Sequence, residues 1–440
     1  MSEDGIISRA LNSSESLWLT VNNSSSPLCL VVELAPHVVV TEPLLREALK
    51  LVQTHQPYLR VRLDRDNKAL STSTTEIPLE VETLPDDVST QHIRQHCRAL
   101  LKAGICIEAL FVKAKLLETP TTKYIFLLGD HMAFDGRSFN AWLTELMACL
   151  TGASVSQQAE QLPFIDWTEL IPQPLHLDPL ADPFPTAAFP LRTDPHSPGT
   201  GSVPAIEDLV VSLPQSAFLS LKAACKANCV TLNGPLMVAV GMAARSVILA
   251  SQSHPAPIQE EEEEEETEKP NQKEDERPGM KGLRVLCAVD VRRLLTAPLH
   301  ANYISSAAGL VSLPLALPAG PSSSLPWECA KMAQTNLLDG IEKNEAFRMA
   351  DILGRGAFVE LGQFFAVPLI WSNIGHIQAS GIASVESHVF GEGSNPLISV
   401  HCLEAGGILS LTISYSPKFH EEKTMAQIGA AFLDAIAQFS

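Results

Sequence analysis

Histidine is the side chain whose ordinary pKa lies nearest neutrality, and one histidine in this chain is placed to use that property. His131-Met132-Ala133-Phe134-Asp135-Gly136 follows directly on an apolar run that begins at Tyr124. Such a run reads as a buried strand, and Asp135-Gly136 reads as the opening of an amphipathic helix. A histidine at the end of a rigid strand is held in place and can take a proton from an alcohol, an amine or water. Gly136 allows a backbone geometry that a Cβ would obstruct. The same residues have a plainer explanation, with Asp135 as the N-cap of the next helix and His131 as a satisfied core histidine.

Other candidates for chemistry are weaker. His92 and His96 lie i, i+4 on a predicted helix beside Cys97. No H-E-x-x-H pattern accompanies them, so a solvated helix face is expected and not a metal site. Cys225 and Cys229 share a helix face but have no second ligand pair. His376 is expected at the surface. No G-x-S-x-G elbow, P-loop or dinucleotide fingerprint is present, which argues against a serine hydrolase and against nucleotide-cofactor chemistry.

The elements that must position His131 alternate between helix and strand. In the first half, Leu17–Val21 and Leu28–Leu34 are apolar runs, and Thr41 is a plausible N-cap for a helix reaching Gln56. Strands are predicted at Tyr58–Leu63, Ile105–Ala114 and Lys123–Gly129, and helices at Ser89–Ala103 and Arg137–Leu150. Ten prolines between Pro163 and Pro204 forbid a continuous helix or central strand, so 163–204 reads as an extended crossover. A second mixed set follows. Its strands are Asp208–Leu213, Leu283–Val289, Ala307–Ala316, Leu369–Asn373, Ser387–Phe390, Ile398–Leu403 and Ile408–Tyr415. Its helices are Gln215–Asn228, Leu232–Ala250, Pro326–Lys343 and Glu421–Phe439. At 440 residues the chain has the length of two domains. The expected organisation is an α/β subdomain over 1–162, the crossover over 163–204, and a second α/β subdomain over 205–440.

The net charge of −19 does not describe the whole surface. Residues 260–277 hold eleven acids and three bases, so that segment carries −8 and the rest of the chain −11. The acidic stretch, 251–281, cannot bury enough apolar surface to order itself and reads as a disordered, solvated insertion. What remains has no basic stripe for nucleic acid and no polybasic patch for an anionic membrane. Leu236–Ala250 is too short for a membrane span and contains Arg245. Nine cysteines at irregular spacing suit reduced thiols, and the acidic N-terminus has no apolar signal region, so a cytoplasmic protein is expected.

Four segments together resemble one known superfamily. Besides His131–Gly136, Val289-Asp290-Val291-Arg292-Arg293 resembles its second-half V-D-x-R segment, with Asn302-Tyr303 in the place of a following Asn. Trp371-Ser372-Asn373-Ile374-Gly375 resembles an S-N-x-G strand, and Gln56-Pro57-Tyr58-Leu59-Arg60 resembles a helix-to-strand junction. In order and spread, these match the chloramphenicol acetyltransferase-like superfamily, which includes peptide-synthetase condensation domains, alcohol acetyltransferases and polyketide-associated acyltransferases. Two departures are visible. Position 130, a histidine in many condensation domains, is Asp130, expected to raise the pKa of His131 if the side chains meet. The DFGWG motif of plant acyltransferases is absent.

The resemblance implies a V-shaped pair of similar α/β domains with a tunnel between them and His131 at its middle. His131 would be the general base that deprotonates an alcohol or amine acceptor as it attacks an acyl thioester, with no covalent acyl-enzyme. Asp135 would point away from substrate and pair with an arginine, for which Arg292 is the candidate. Ser372 and Asn373 would hold the oxyanion or the acceptor, with Gly136 and Gly375 supporting the backbone. No bound cofactor or metal is expected, acyl-CoA is the expected co-substrate, and a monomer is expected. Two alternatives stay open: a carrier-protein-bound acyl donor, and a non-catalytic binding or scaffold protein that retains the fold.

Overall fold

A computed structural model of the chain describes residues 7–22, 26–85, 88–152, 163–175, 177, 206–252, 280–318, 325–365, 367, 369–389 and 398–439. Most of the proline-rich crossover and of the acidic insertion therefore lies outside the described residues.

The first half runs β1 (Ser8–Ala10), α1 (Ser13–Asn22), β2 (Pro27–Leu34), α2 (Glu42–His55), β3 (Val61–Asp64), β4 (Ala69–Thr72), β5 (Leu79–Thr83), α3 (Thr90–Ala103), β6 (Val112–Glu118), β7 (Lys123–Asp130) and α4 (Gly136–Thr151). The second half runs β8 (Glu207–Leu213), α5 (Gln215–Ala227), α6 (Asn233–Gln252), β9 (Met280–Asp290), β10 (Ala308–Pro318), α7 (Leu325–Glu342), α8 (Arg348–Gly354), α9 (Phe358–Phe364), β11 (Leu369–His376), β12 (Ile382–Val389), β13 (Ile398–Ala405), β14 (Ile408–Tyr415) and α10 (Glu422–Ala437).

These strands build a five-stranded sheet, β12-β2-β7-β6-β5, a six-stranded sheet, β10-β9-β11-β13-β14-β8, and a small sheet, β1-β4-β3. Each large sheet anchors its own hydrophobic core. The first is centred on β7, where Ile125–Leu128 are fully buried between β2 and β6, as a continuous apolar run predicts for an inner strand. Alternation builds the second core. Leu369 and Trp371, Val400 and Cys402, and Leu409, Leu411 and Ile413 all turn to that core. Ser372 and Thr412, in register with His401, share the opposite face.

One strand crosses between the halves. β12 pairs antiparallel with β2 and becomes an edge of the first sheet, so the second subdomain expected over 205–440 lends a strand to the first.

Local chemistry explains where expected elements shift. Leu17–Val21 falls within α1, whose start is a capping box. The Glu15 N–H donates to Asn12 Oδ1 at 2.9 Å and the Asn12 N–H donates to Glu15 Oε2 at 2.9 Å. The strand expected at Ile105–Ala114 begins only at Val112, because the N–H groups of Ala109 and Leu110 fold back onto the Cys106 carbonyl. Tyr58–Arg60 belongs to a short 3-10 turn before β3. The small sheet and β5 come from short stretches with no clear period. Thr41 does cap α2, and the buried Leu45, Ala48, Leu49 and Val52 follow helical spacing.

Candidate active site

β7 ends at Asp130, and the chain turns before α4 begins at Gly136. That turn is closed by the N–H groups of Ala133 and Phe134, which donate to the Asp130 carbonyl at 3.0 and 2.9 Å. The Asp130 carboxylate is buried and holds the loop as well, accepting from the N–H of Ser26 at 2.7 Å and of Met132 at 3.0 Å. His131 stands between these anchors, and its own N–H donates to the Ser26 carbonyl at 2.9 Å.

The imidazole is half-buried overall, but its Nδ1 is sealed from solvent and makes no hydrogen bond of standard geometry. The backbone groups of His131 and Phe134, with the charges of Asp135 and Asp130, favour a proton on the ring. Burial outweighs them and pushes the pKa below the ordinary histidine value. Asp130 pulls upward as expected, but burial outweighs it and the net shift is downward. The shift favours the uncharged ring at neutral pH.

Asp135 is the N-cap of α4, accepting from the Ser138 N–H at 2.7 Å, and it is also half of a buried ion pair. Arg292, in the turn after β9, reaches Asp135 with Nη1 at 3.0 Å and Nη2 at 3.1 Å. Its remaining donors go to Asp290 at 2.9 Å, the Tyr303 carbonyl at 2.8 Å, the Ser305 carbonyl at 2.7 Å and Ser138 Oγ at 3.1 Å. A guanidinium with no exposed surface and every N–H engaged is the geometry in which a buried charge is tolerated. The pair joins the first half to the second.

Two more contacts stitch α4 to the second half. A Cβ on Gly136 would lie 2.7 Å from Ile374 Cγ1, so glycine is what lets β11 approach the helix. Asn140 Nδ2 donates to the His376 carbonyl at 3.0 Å.

Ser372 is half-buried, and Asn373 is exposed. Asn373 accepts from the Gly375 N–H at 2.9 Å, at a bulge where Gly375 takes φ +92. Among the described residues, no hydrogen bond or ring contact links Ser372, Asn373 or Gly375 to His131. The structure brings His131, Asp135, Gly136 and Arg292 together and leaves those three on the neighbouring strand. His376 is exposed near Glu404, and His92 stacks on His96. Among the described residues no group of three or more His, Cys, Asp or Glu side chains is placed to hold a metal ion.

Sequence reasoning missed two partners. Ser138, three residues past Asp135, lies 2.8 Å from its carboxylate, and the i, i+3 spacing after an N-cap was the available signal. Trp18, on α1, stacks on His131 with ring centroids 4.3 Å apart and an interplanar angle of 21°. No local signal joins residues so far apart in the chain.

No family model matches the chain, and no curated protein matches it in sequence. Solved structures do match. Trichothecene 15-O-acetyltransferase from Fusarium sporotrichioides aligns with a TM-score of 0.67 at 11% identity, covering 100% of this chain and 96% of that one. The first condensation domain of the CDA synthetase aligns at 0.64 with 14% identity, covering 98% and 96%. The epimerization domain from the third module of tyrocidine synthetase B aligns at 0.61 with 15% identity, covering 100% and 98%. The chain thus shares its mixed α/β fold with these solved structures over almost its whole length.

Proposed function

We propose that this protein is an acyltransferase that moves an acyl group from a thioester, acyl-CoA in the simplest case, to a hydroxyl or amine. The observation that carries the reading is His131, an uncharged imidazole with Nδ1 sealed, set beside an aspartate that a buried arginine holds in place. An acetyltransferase and a condensation domain among structures of the same fold agree with it.

In the reaction, Nε2 of His131 takes the acceptor proton as the acceptor oxygen or nitrogen bonds to the thioester carbonyl carbon. The tetrahedral oxyanion collapses, the carbon–sulfur bond breaks, and the leaving thiolate takes the proton back from Nε2. No acyl-enzyme forms, and the base is regenerated. Asp135 takes no part in proton transfer, because Arg292, Ser138 and the α4 N-terminus occupy its oxygens.

A free-thiol release assay tests this, using a panel of acyl-CoAs and carrier-protein thioesters with pooled alcohols and amines. Acceptor-dependent thiol release that is lost in a folded His131→Ala variant is expected. Release only from carrier-bound donors would reassign the donor. No release from any donor by the folded protein would leave the fold serving as a binding scaffold.

A further inference from the structure

A general base must be oriented as well as uncharged, and in many enzymes a carboxylate hydrogen-bonded to the second ring nitrogen does this. Neither nearby carboxylate does so here. Asp130 is committed to the N–H groups of Ser26 and Met132, and Asp135 to Arg292 and Ser138. Nδ1 of His131 makes no hydrogen bond of standard geometry, and among the described residues the only hydrogen-bonding groups that act on the ring are backbone groups of its own turn, at His131 and Phe134. We infer that Trp18 is the positioning residue for His131, its indole fixing the plane of the imidazole and shielding one of its faces. This rests on the acyl-transfer reading for its catalytic consequence, but not for its geometry.

α1 is anchored well enough for this role. Besides the capping box, Arg9 grips Glu15 with Nη1 at 2.7 Å and Nη2 at 2.5 Å, and its Nη2 also donates to the Tyr58 hydroxyl at 2.8 Å. Asn12 Nδ2 donates to Asp166 at 3.0 Å, at the start of the crossover. The Tyr58 hydroxyl donates to the Ile165 carbonyl at 2.9 Å, and the Ile165 N–H donates to the Tyr303 hydroxyl at 3.0 Å. The Tyr303 carbonyl in turn accepts from Arg292. α1 also packs against α8 of the second half. The indole is thus carried by a helix tied to both lobes and to the residues that hold Asp135.

The charged and titratable groups facing His131 are Asp130 and Asp135 on its own turn and His401 on β13. None changes when Trp18 is replaced, so an altered titration of His131 reports the loss of the indole cover. Removing that cover readmits water to the ring, which raises its pKa because burial is the main cause of its depression.

The test follows the His131 imidazole by NMR titration of histidine-labelled protein, assigned with His131→Ala, alongside thiol release. Trp18→Ala should raise the His131 pKa and shift the pH–rate midpoint the same way. It should lower kcat about ten- to hundredfold while KM moves less, the scale expected for a misplaced catalytic group. Trp18→Phe, which restores a stacking ring, should recover most of both. Should Trp18→Ala fail to fold, Trp18→Leu gives the same comparison with bulk but no ring plane to match. An unchanged His131 titration in a folded Trp18→Ala variant, or wild-type kcat in a folded Trp18→Leu variant, would overturn the inference. A shifted titration in a protein that releases thiol from no donor would sustain the positioning role while removing the acyl-transfer reading.

Discussion

Two histidines lie where the halves of the chain meet, and their surroundings drive them to opposite charge states. His131 finds no carboxylate to bond, and burial lowers its pKa. His388, on the crossing strand β12, is more fully enclosed, and it stands between two acids. Its Nδ1 is 2.9 Å from Asp208 of β8, and its Nε2 is 3.3 Å from Glu386. Arg94 of α3 grips Glu386 at 2.6 and 2.9 Å. Burial works against charge at His388 as well, but the neighbouring Cys97 and the bonded Asp208 and Glu386 together outweigh it, and its pKa rises well above the ordinary value. Glu386 is held down at about 2. Burial alone does not decide the state of a histidine; the charged and hydrogen-bonding groups that reach the ring decide it as well. One imidazole is driven toward its neutral form, and the other toward the cation, where it ties β12, β8 and α3 together through Asp208, Glu386 and Arg94.

The largest effect that separates them is catalytic. His131→Ala should reduce acceptor-dependent thiol release by about 10²–10⁴-fold, the usual scale for a lost general base, with a cooperative unfolding transition retained. His388→Ala should leave turnover per folded molecule nearly intact. Equal loss of turnover in both variants, measured on protein verified as folded, would erase the distinction. Next in size is Arg292→Ala, which leaves the buried Asp135 carboxylate without its counter-ion and the Tyr303 carbonyl without its donor. Removing one member of a buried ion network costs about 3–5 kcal/mol, visible as a lower denaturant midpoint. Arg292→Lys should recover only part of this, because an ammonium cannot reproduce the planar fork across Asp135.

The first of these regions was legible in the sequence and the second was not. The strand, His131, the helix opening at Gly136 and the arginine after β9 carry local signals, namely an apolar run, a helix cap and a charge beside Val291. The Asp135–Arg292 contact followed from the resemblance of those segments to a known fold. His388 sits in Ser387–Phe390, which reads only as a strand end. Asp208, Glu386 and Arg94 meet because β12 crosses to the first sheet, a fact of topology that no residue pattern announces. Trp18 escaped for the same reason, and Leu17–Val21 has too few turns to show a helical period. Ser372 and Asn373 were recognised as a segment, yet the strand's alternation leaves Asn373 exposed and turned to Asn233 and Gly375.

The His388 cluster has its own pH signature. A histidine whose folded pKa is raised contributes stability that is fully present below its unfolded value of about 6.5 and is lost as pH rises through the folded value. Glu386, with a depressed pKa, contributes stability present above its unfolded value of about 4.3 and lost as pH falls toward about 2. His388→Ala should therefore cost about 3 kcal/mol near pH 6, and the gap from wild type should narrow as the medium turns alkaline. His131 and His401, whose folded pKa values are depressed, the latter to about 4, act in the opposite sense and weaken the fold as pH drops below about 6.5. Denaturant titrations of wild type and variant across this range check both slopes. A gap that widens at high pH would mean that His388 is neutral in the folded protein.

The smallest effect concerns the seam beside His131. Gly136→Ala forces its new methyl group toward Ile374 Cγ1, 2.7 Å away, and that atom lies close to the β11 backbone, so the strand or the helix must give. Overpacking of this kind costs about 1–3 kcal/mol. Ile374→Val shortens the opposing side chain but keeps its branch. The double variant should therefore regain only part of the loss, a coupling of about 0.5–1 kcal/mol. Because α4 carries Asp135 at its cap, the single variant should also reduce turnover while leaving the pH–rate midpoint in place. The Trp18 variants should move that midpoint, so pH profiles separate a displaced helix from an uncovered imidazole.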